Sequence, residues 1–466
     1  MKNLGVVITD GVGFRNFILS DFIKEANDNF DSIIIFSCLP KKVYADLNIG
    51  CKVVELAVFE ETFKTWFFRK IKEVTHLQLF AKNNFGILDN LNQSKSKEVS
   101  PRGIAIRCMH IWSKFIKSEN WILLYNKWQQ LTFKTNPLTA QYKNLLKEYK
   151  ISMLFFTHQR PPFIAPLIYA AEVLKIKTST FIFSWDNLAS KGRMAGNFNY
   201  YYVWSHLMKK ELLHFYKSVA KENVVVVGTP QFEAYTNDNF GYSREQFEKK
   251  FKVSKHQKVV FFTCNDASSK NDIIYLEILA NFILENKLTE DVAVIVRTSP
   301  VEDASRFEFL ADKFSFLIWN FPDWNISRTD HQESWSQRVP SVNDLNDLKS
   351  LLNHCDICVN VLSTITLDAY IFDKPVINPV FGNEANGMFD DQKFLKYAHL
   401  EKLVDSKSSD IVRTETEFLE AMNTILNHKE DKNNLRAQFL ELQISASLEG
   451  TSKRMAQSLA QLHVSF

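Results

Sequence analysis

Glycine is scarce in this 466-residue chain, 13 in all, and cysteine scarcer, with six. Where glycine is rare, two close together mark a backbone that must turn sharply or approach something closely. The cysteines are scattered at 38, 51, 108, 264, 355 and 358, which excludes a disulfide scaffold and suits a reducing compartment. Cys355-Asp356-Ile357-Cys358 has metal-like spacing, but no second Cys or His pair follows it. It reads as a buried strand in which Cys is small filler, so no metal site is expected. No run of about 18 apolar residues is present to span a bilayer. No basic leader with an apolar core precedes the first strand pattern either, and a cytoplasmic protein is expected.

What is abundant is phenylalanine, 39 residues, within a 45% hydrophobic and 23% charged composition typical of globular proteins. The net charge of +3 hides an asymmetry: residues 51–150 hold 17 Lys and Arg against 8 Asp and Glu, leaving that stretch at +9 and the remainder at −6. Its cations are interleaved with aromatics, as in Phe63-Lys64-Thr65-Trp66-Phe67-Phe68-Arg69-Lys70 and Trp112-Ser113-Lys114-Phe115-Ile116-Lys117. That pattern fits a surface resting on anionic lipid headgroups, at the inner face of a membrane. It equally fits an ordinary helical layer with its aromatics in the core. No nucleic-acid-binding module accompanies the charge, so nucleic acid is not an expected partner.

Length alone favours two domains. Short apolar runs at 5–9 and 32–37, with helical spacing over 14–30 between them, form a βαβ unit and imply a parallel sheet. A long, mostly helical stretch follows to residue 150, with a polar break near 92–100. The βα rhythm resumes at 153–156 and ends at Gly228-Thr229-Pro230, and a linker is expected around 231–245. A second series of strands begins at 258, with a polar loop at 323–342 and a helical tail. The fold class is therefore α/β, with two Rossmann-like domains and a helical insertion in the first. Expected boundaries are 1–235, 236–430, and a terminal helical segment 431–466 packing back across the domains.

Several segments can carry chemistry. Cys358 to Ile377 ends a strand, offers Ser363 and Thr364 as helix caps, and resumes as a Pro-led strand. Free amides and the positive helix end there attract phosphate, and Asp368, one turn in, can accept bonds from ribose hydroxyls. Arg297 closes a strand and can neutralise a leaving diphosphate, or pair with an acid such as Glu302 or Asp303. Gly11 and Gly13, after the first strand, let backbone approach a ligand, and Arg15 can hold a phosphate or carboxylate. The third glycine of a dinucleotide fingerprint is missing. His158 and Asp186 also follow strands; with Asp10 they are three alternatives for a base that deprotonates an acceptor hydroxyl.

The order of these segments resembles GT-B glycosyltransferases of bacterial capsule and O-antigen assembly, and more distantly UDP-N-acetylglucosamine 2-epimerase and CDP-glycerol glycerophosphotransferases. The resemblance rests on Ser363-Thr364, Asp368 and Lys374-Pro375-Val376-Ile377, preceded by Ser184 to Gly192, Val203-Trp204-Ser205 and Val226 to Glu233. It covers roughly 150–425. Where such enzymes often have Arg-x-His-Pro, this chain has Ser299 in place of the histidine. The resemblance implies two parallel sheets facing across a cleft, and a nucleotide-sugar co-substrate, a UDP- or GDP-sugar, with no other cofactor and no metal. It also implies a glycan or lipid-linked acceptor, and a donor pocket to which Asn187, Lys191, Asn383 and His399 contribute. The expected activity is glycosyl transfer. Sugar-nucleotide epimerisation, glycerophosphate transfer, or nucleotide-sugar binding without catalysis are the alternatives on the same scaffold.

Overall fold

The first strand, β1 (Asn3–Ile8), is buried along its whole length. Such a run, apolar on both faces, belongs inside a parallel sheet covered on two sides. The computed structural model describes residues 2–266, 269–302 and 304–464. It divides into two compact units: Met1–Glu233 with Ile326–Val339 and Gln443–Phe466, and Ala234–Asn325 with Pro340–Leu442.

In the first unit, β1 is joined by β2 (Ser32–Ser37), β3 (Lys52–Glu55), β4 (Met153–Phe156), β5 (Lys177–Phe181), β6 (Tyr200–Val203) and β7 (Val224–Val226). They form one sheet in the order β3-β2-β1-β4-β5-β6-β7, with every pairing parallel. Strand order reverses between β1 and β4, which lie side by side with Val7 opposite Phe156. The loops leaving such a pair diverge and open a crevice at the carboxyl ends of the strands. One amphipathic helix was expected over 14–30; two short ones form instead, Gly11–Phe17 and Phe22–Asn27.

Five helices separate β3 from β4. Thr62, Asn84, Ser100, Ser118 and Asn136 cap them, each side chain accepting a first-turn amide. Gly103 is required here, since a Cβ would sit 2.3 Å from the Glu98 carbonyl oxygen. Trp66, Ile71, Met109 and Tyr125 make a core of their own. Other residues of the layer remain outside it: Ile104, Ile111, Trp112 and Phe115 are exposed on helix Pro101–Phe115. The final helix, Thr451–Val464, belongs to this unit, where Tyr202 donates to Ser458 at 3.1 Å and Glu233 receives the Ser452 amide.

The second unit holds β8 (Lys258–Thr263), β9 (Val292–Arg297) and β10 (Ile318–Asn320). A two-stranded ribbon of β11 (Trp324–Ile326) and β12 (Arg338–Pro340) comes next in the chain. β13 (Ile357–Asn360), β14 (Val376–Pro379) and β15 (Asp410–Val412) complete a six-stranded sheet ordered β10-β9-β8-β13-β14-β15. Its reversal lies between β8 and β13, where Asn360 is opposite Thr263. Cys355 and Cys358 are buried, and burial pushes the Cys355 thiol up to about 12. Among the described residues no group of three His, Cys, Asp or Glu is arranged to hold a metal ion, and no helix is long and apolar enough to cross a membrane.

Candidate active site

At the reversal point of the first sheet, Asp10 leaves β1 with an extended backbone and caps helix Gly11–Phe17. Its Oδ1 accepts the Gly13 amide at 2.8 Å and its Oδ2 accepts the Thr9 hydroxyl at 2.7 Å. Gly13 is needed because a Cβ would come 2.7 Å from the Thr157 hydroxyl. Oδ2 also lies 3.0 Å from Nδ1 of His158, which leaves the neighbouring β4. Two of the three alternatives for a base are therefore one unit.

An ionised carboxylate only accepts, so His158 carries its proton on Nδ1 and presents a basic Nε2. Burial would push the Asp10 carboxyl up, but the His158 bond and charge, with the Gly13 and Thr9 bonds, outweigh it and hold it below the ordinary 3.8. Burial pushes His158 below its ordinary 6.5; Asp10 pushes back, and the Arg160 charge adds to the fall. The imidazole stacks on Phe183 at 3.9 Å with 14° between planes. Nε2 is buried and has no hydrogen-bond partner. A neutral, oriented imidazole with one unspent nitrogen is equipped to take a proton from a hydroxyl.

His158 lines a cavity of about 440 Å³ within the first unit, together with Arg69, Lys72, Arg160, Arg193 and Glu333 among others. Arg69 is held by both oxygens of Glu61 at 2.7 Å. Arg193 is held by Glu119 and stacks 4.1 Å over the Tyr216 ring. Lys72 donates to Asn126 and the Ala195 carbonyl, and burial, then Arg193 and Arg69, lower it to about 7. Glu333 arrives from the 326–339 segment, which by its sequence reads only as a polar loop. Burial, then Asp10, raises its carboxyl above the ordinary 4.5. Neither Glu333 nor Lys72 carried a sequence signal, since each lies in a stretch with a plainer reading.

Asp186, the third alternative, forms an ion pair with Lys191 at 3.4 Å and accepts from Asn187, which in turn receives Gln159. It is near enough for its charge to raise His158, but a cation already answers it. Gly11 lies buried at the start of the capped helix, whereas Arg15 turns to its neighbour Asn16.

In the second unit, Ser363 and Thr364 lie half-buried just beyond β13. Asn360, overlooked in the sequence, fixes this turn. Its Oδ1 accepts the Ser363 amide at 2.8 Å and the Thr366 hydroxyl at 3.2 Å, while Asn378 donates to its carbonyl. Leu362 takes φ +53°, a left-handed turn unusual for a branched side chain. Thr364 precedes helix Ile365–Ile371 but makes no side-chain cap bond. Asp368, expected to face ribose, is buried and accepts the Tyr235 hydroxyl at 2.5 Å. Arg297, expected at a leaving diphosphate, is likewise buried, and its Nη2 meets both Asp344 oxygens at 2.7 and 2.8 Å. Glu302 pairs with Arg306 instead, and Asp303 lies outside the described residues. Asn383 accepts the Ala385 amide within its own loop, and His399 is buried in helix Ala398–Ser406 with Tyr397 edge-on to its ring.

No family model matches the sequence. No curated protein matches it either. Solved structures do share its fold. UDP-GlcNAc 2-epimerase from Methanocaldococcus jannaschii is 12% identical, over 99% of this chain and all of that one, with a TM-score of 0.53. The S. aureus MnaA–UDP co-structure is 11% identical over 99% and 97% of the two chains, TM-score 0.53. A glycosyltransferase from Rickettsia africae is 11% identical over 100% and 99%, TM-score 0.51. At such identities the likeness is one of fold: the chain is an α/β protein of GT-B-like architecture, as expected from its sequence.

Proposed function

We propose that this chain is a glycosyltransferase that moves a sugar from a nucleotide-sugar donor to a hydroxyl of a glycan or lipid-linked acceptor, in the assembly of cell-surface polysaccharide. One observation carries the reading: a buried Asp10–His158 pair stands at the reversal point of a parallel sheet, with Nε2 unspent and the ring lining a cavity. His158 takes the acceptor proton as the acceptor oxygen attacks the anomeric carbon, and the nucleoside diphosphate departs. Asp10 holds the ring and stabilises the imidazolium. The donor, a UDP- or GDP-sugar used without a metal, is assigned to the second sheet's reversal point, where the Asn360-fixed turn presents Ser363 and Thr364.

Thermal shift and product release across a panel of nucleotide sugars test this reading. A ligand at 100 times its Kd stabilises by about 2.7 kcal/mol. Thr364→Glu sets a negative charge against the diphosphate and is expected to weaken the donor at least roughly tenfold while the fold survives. Undiminished affinity would remove the donor from this turn.

A second reading has one observation in its favour. Glu333 lines the same cavity as His158, so a second acid–base group shares the site with the base, as epimerisation requires. Return of an altered sugar nucleotide, with no acceptor added, would select that reading.

An inner-membrane-face location is part of the proposal. Ile104, Ile111, Trp112 and Phe115 fall along one stripe of helix Pro101–Phe115, Phe115 at 81% exposure, with Arg107 and Lys114 on the same helix. Such a face suits anionic headgroups. Ile111→Glu with Phe115→Glu is expected to cut partitioning onto phosphatidylserine-containing vesicles at least tenfold. Equal partitioning by the variant would show that the stripe does not touch lipid.

A further inference from the structure

Arg160 lies two residues beyond His158 and lines the same cavity. Its companions there are spent: Arg69 on Glu61, Arg193 on Glu119, and Lys72 on an amide and a carbonyl. Among the described residues, no hydrogen bond or ion pair engages Arg160, and its Nε is buried without a partner. A guanidinium offers five donors in a planar fork. Leaving the buried Nε donor unspent is costly unless something else receives it.

Two acids share the cavity, and neither takes that role. Glu73 is bonded to Lys70 at 3.2 Å and lies 3.9 Å from Arg69. Glu333 makes no hydrogen bond or ion pair with Arg160, and the Arg160 charge reaches both acids only through space, acting to lower each carboxyl. Pro161 and Pro162 follow Arg160 directly, with Pro161 at φ −52°, so the loop that carries the guanidinium is stiff. An unspent planar fork on that loop matches two coplanar oxygens of a carboxylate or phosphate.

We propose that the acceptor carries an oxyanion, a carboxylate or a phosphate, and that Arg160 grips it while a neighbouring hydroxyl is presented to His158 Nε2. The inference rests on the transferase reading for the role of the hydroxyl, though the anion site itself does not. In the transfer, the acceptor O–H gives its proton to Nε2 and its oxygen forms the new bond to the anomeric carbon. The bond from that carbon to the diphosphate breaks, and the diphosphate leaves with the electron pair. The imidazolium then loses its proton to water.

The test is titration calorimetry on the full chain without donor, at fixed ionic strength, with inorganic phosphate, glucuronate and glucose as probes. At least one anion is expected to bind more tightly than glucose. Arg160→Gln should weaken that anion roughly 10- to 100-fold, with glucose unaffected. Arg160→Lys, which keeps the charge and loses the fork, should fall between and serves if the glutamine variant does not fold. Preference for phosphate identifies a phosphate-bearing acceptor, and preference for glucuronate an acidic sugar. If neither anion exceeds glucose, or if both Arg160 variants bind anions as the parent does, the proposal is overturned. An Arg160-dependent anion site in a chain that binds no nucleotide sugar would sink the transferase reading and leave the anion site standing.

Discussion

Replacing His158 with glutamine is expected to lower transfer turnover about 10²- to 10⁴-fold, with donor affinity little changed. Glutamine keeps a polar side chain of similar reach but offers no basic nitrogen. Asp10→Asn should also slow turnover, through the ring's tautomer and orientation, and KM for donor should move less than kcat. The pH dependence supplies an independent check. His158 must be neutral to act, and its pKa is below the ordinary 6.5. Turnover should therefore climb with pH along a limb that lies under 6.5, then level off. The same depression has a stability consequence. Below pH 6.5 the unfolded chain takes up a proton that folded His158 refuses, so the fold loses stability as pH falls toward the folded pKa. His76, buried and lowered more strongly, adds to that loss. Turnover within threefold of the parent in the glutamine variant would exclude His158 as the base.

The pairing behind this expectation was half legible. Each partner follows an apolar run, and the ends of parallel strands are where such sites lie, so Asp10 and His158 both stood out. Their contact did not, because it spans 148 residues and depends on β1 and β4 becoming neighbours. Strand order is a property of the whole sheet, and no local pattern encodes it. Glu333 was hidden for a related reason: residues 326–339 have no hydrophobic period, yet they belong to the first unit. In the second unit the turn after β13 was visible through Ser363 and Thr364. Asn360, which fixes it, looked like one more strand residue. The aromatics of 51–150 were divided by packing alone, with Trp66 in the core and Phe115 outside it.

Arg297 is the opposite case: its place at a strand end reads as a phosphate ligand, and the structure pairs it with Asp344. Asp344→Ala is expected to destabilise the protein by about 3–5 kcal/mol, measured as the shift of the urea unfolding midpoint. The carboxylate receives both bonds from Arg297, the Asp323 amide at 3.0 Å and the Trp324 indole at 2.8 Å, all while 3% exposed. Arg297 also bonds Asn320, so the pair ties β9 and β10 to helix Val342–His354. Removing the acid strands a buried guanidinium with no counter-charge, and that uncompensated charge is the larger part of the cost. Replacing both members, Arg297→Met with Asp344→Leu, removes the desolvation burden together with the attraction and should recover most of the loss. The double variant also separates structure from chemistry. If Arg297 serves only the fold, nucleotide-sugar affinity in the stable double variant stays within about threefold of the parent. A loss of tenfold or more at recovered stability would return Arg297 to the donor site and show that it exchanges Asp344 for the diphosphate when the donor arrives.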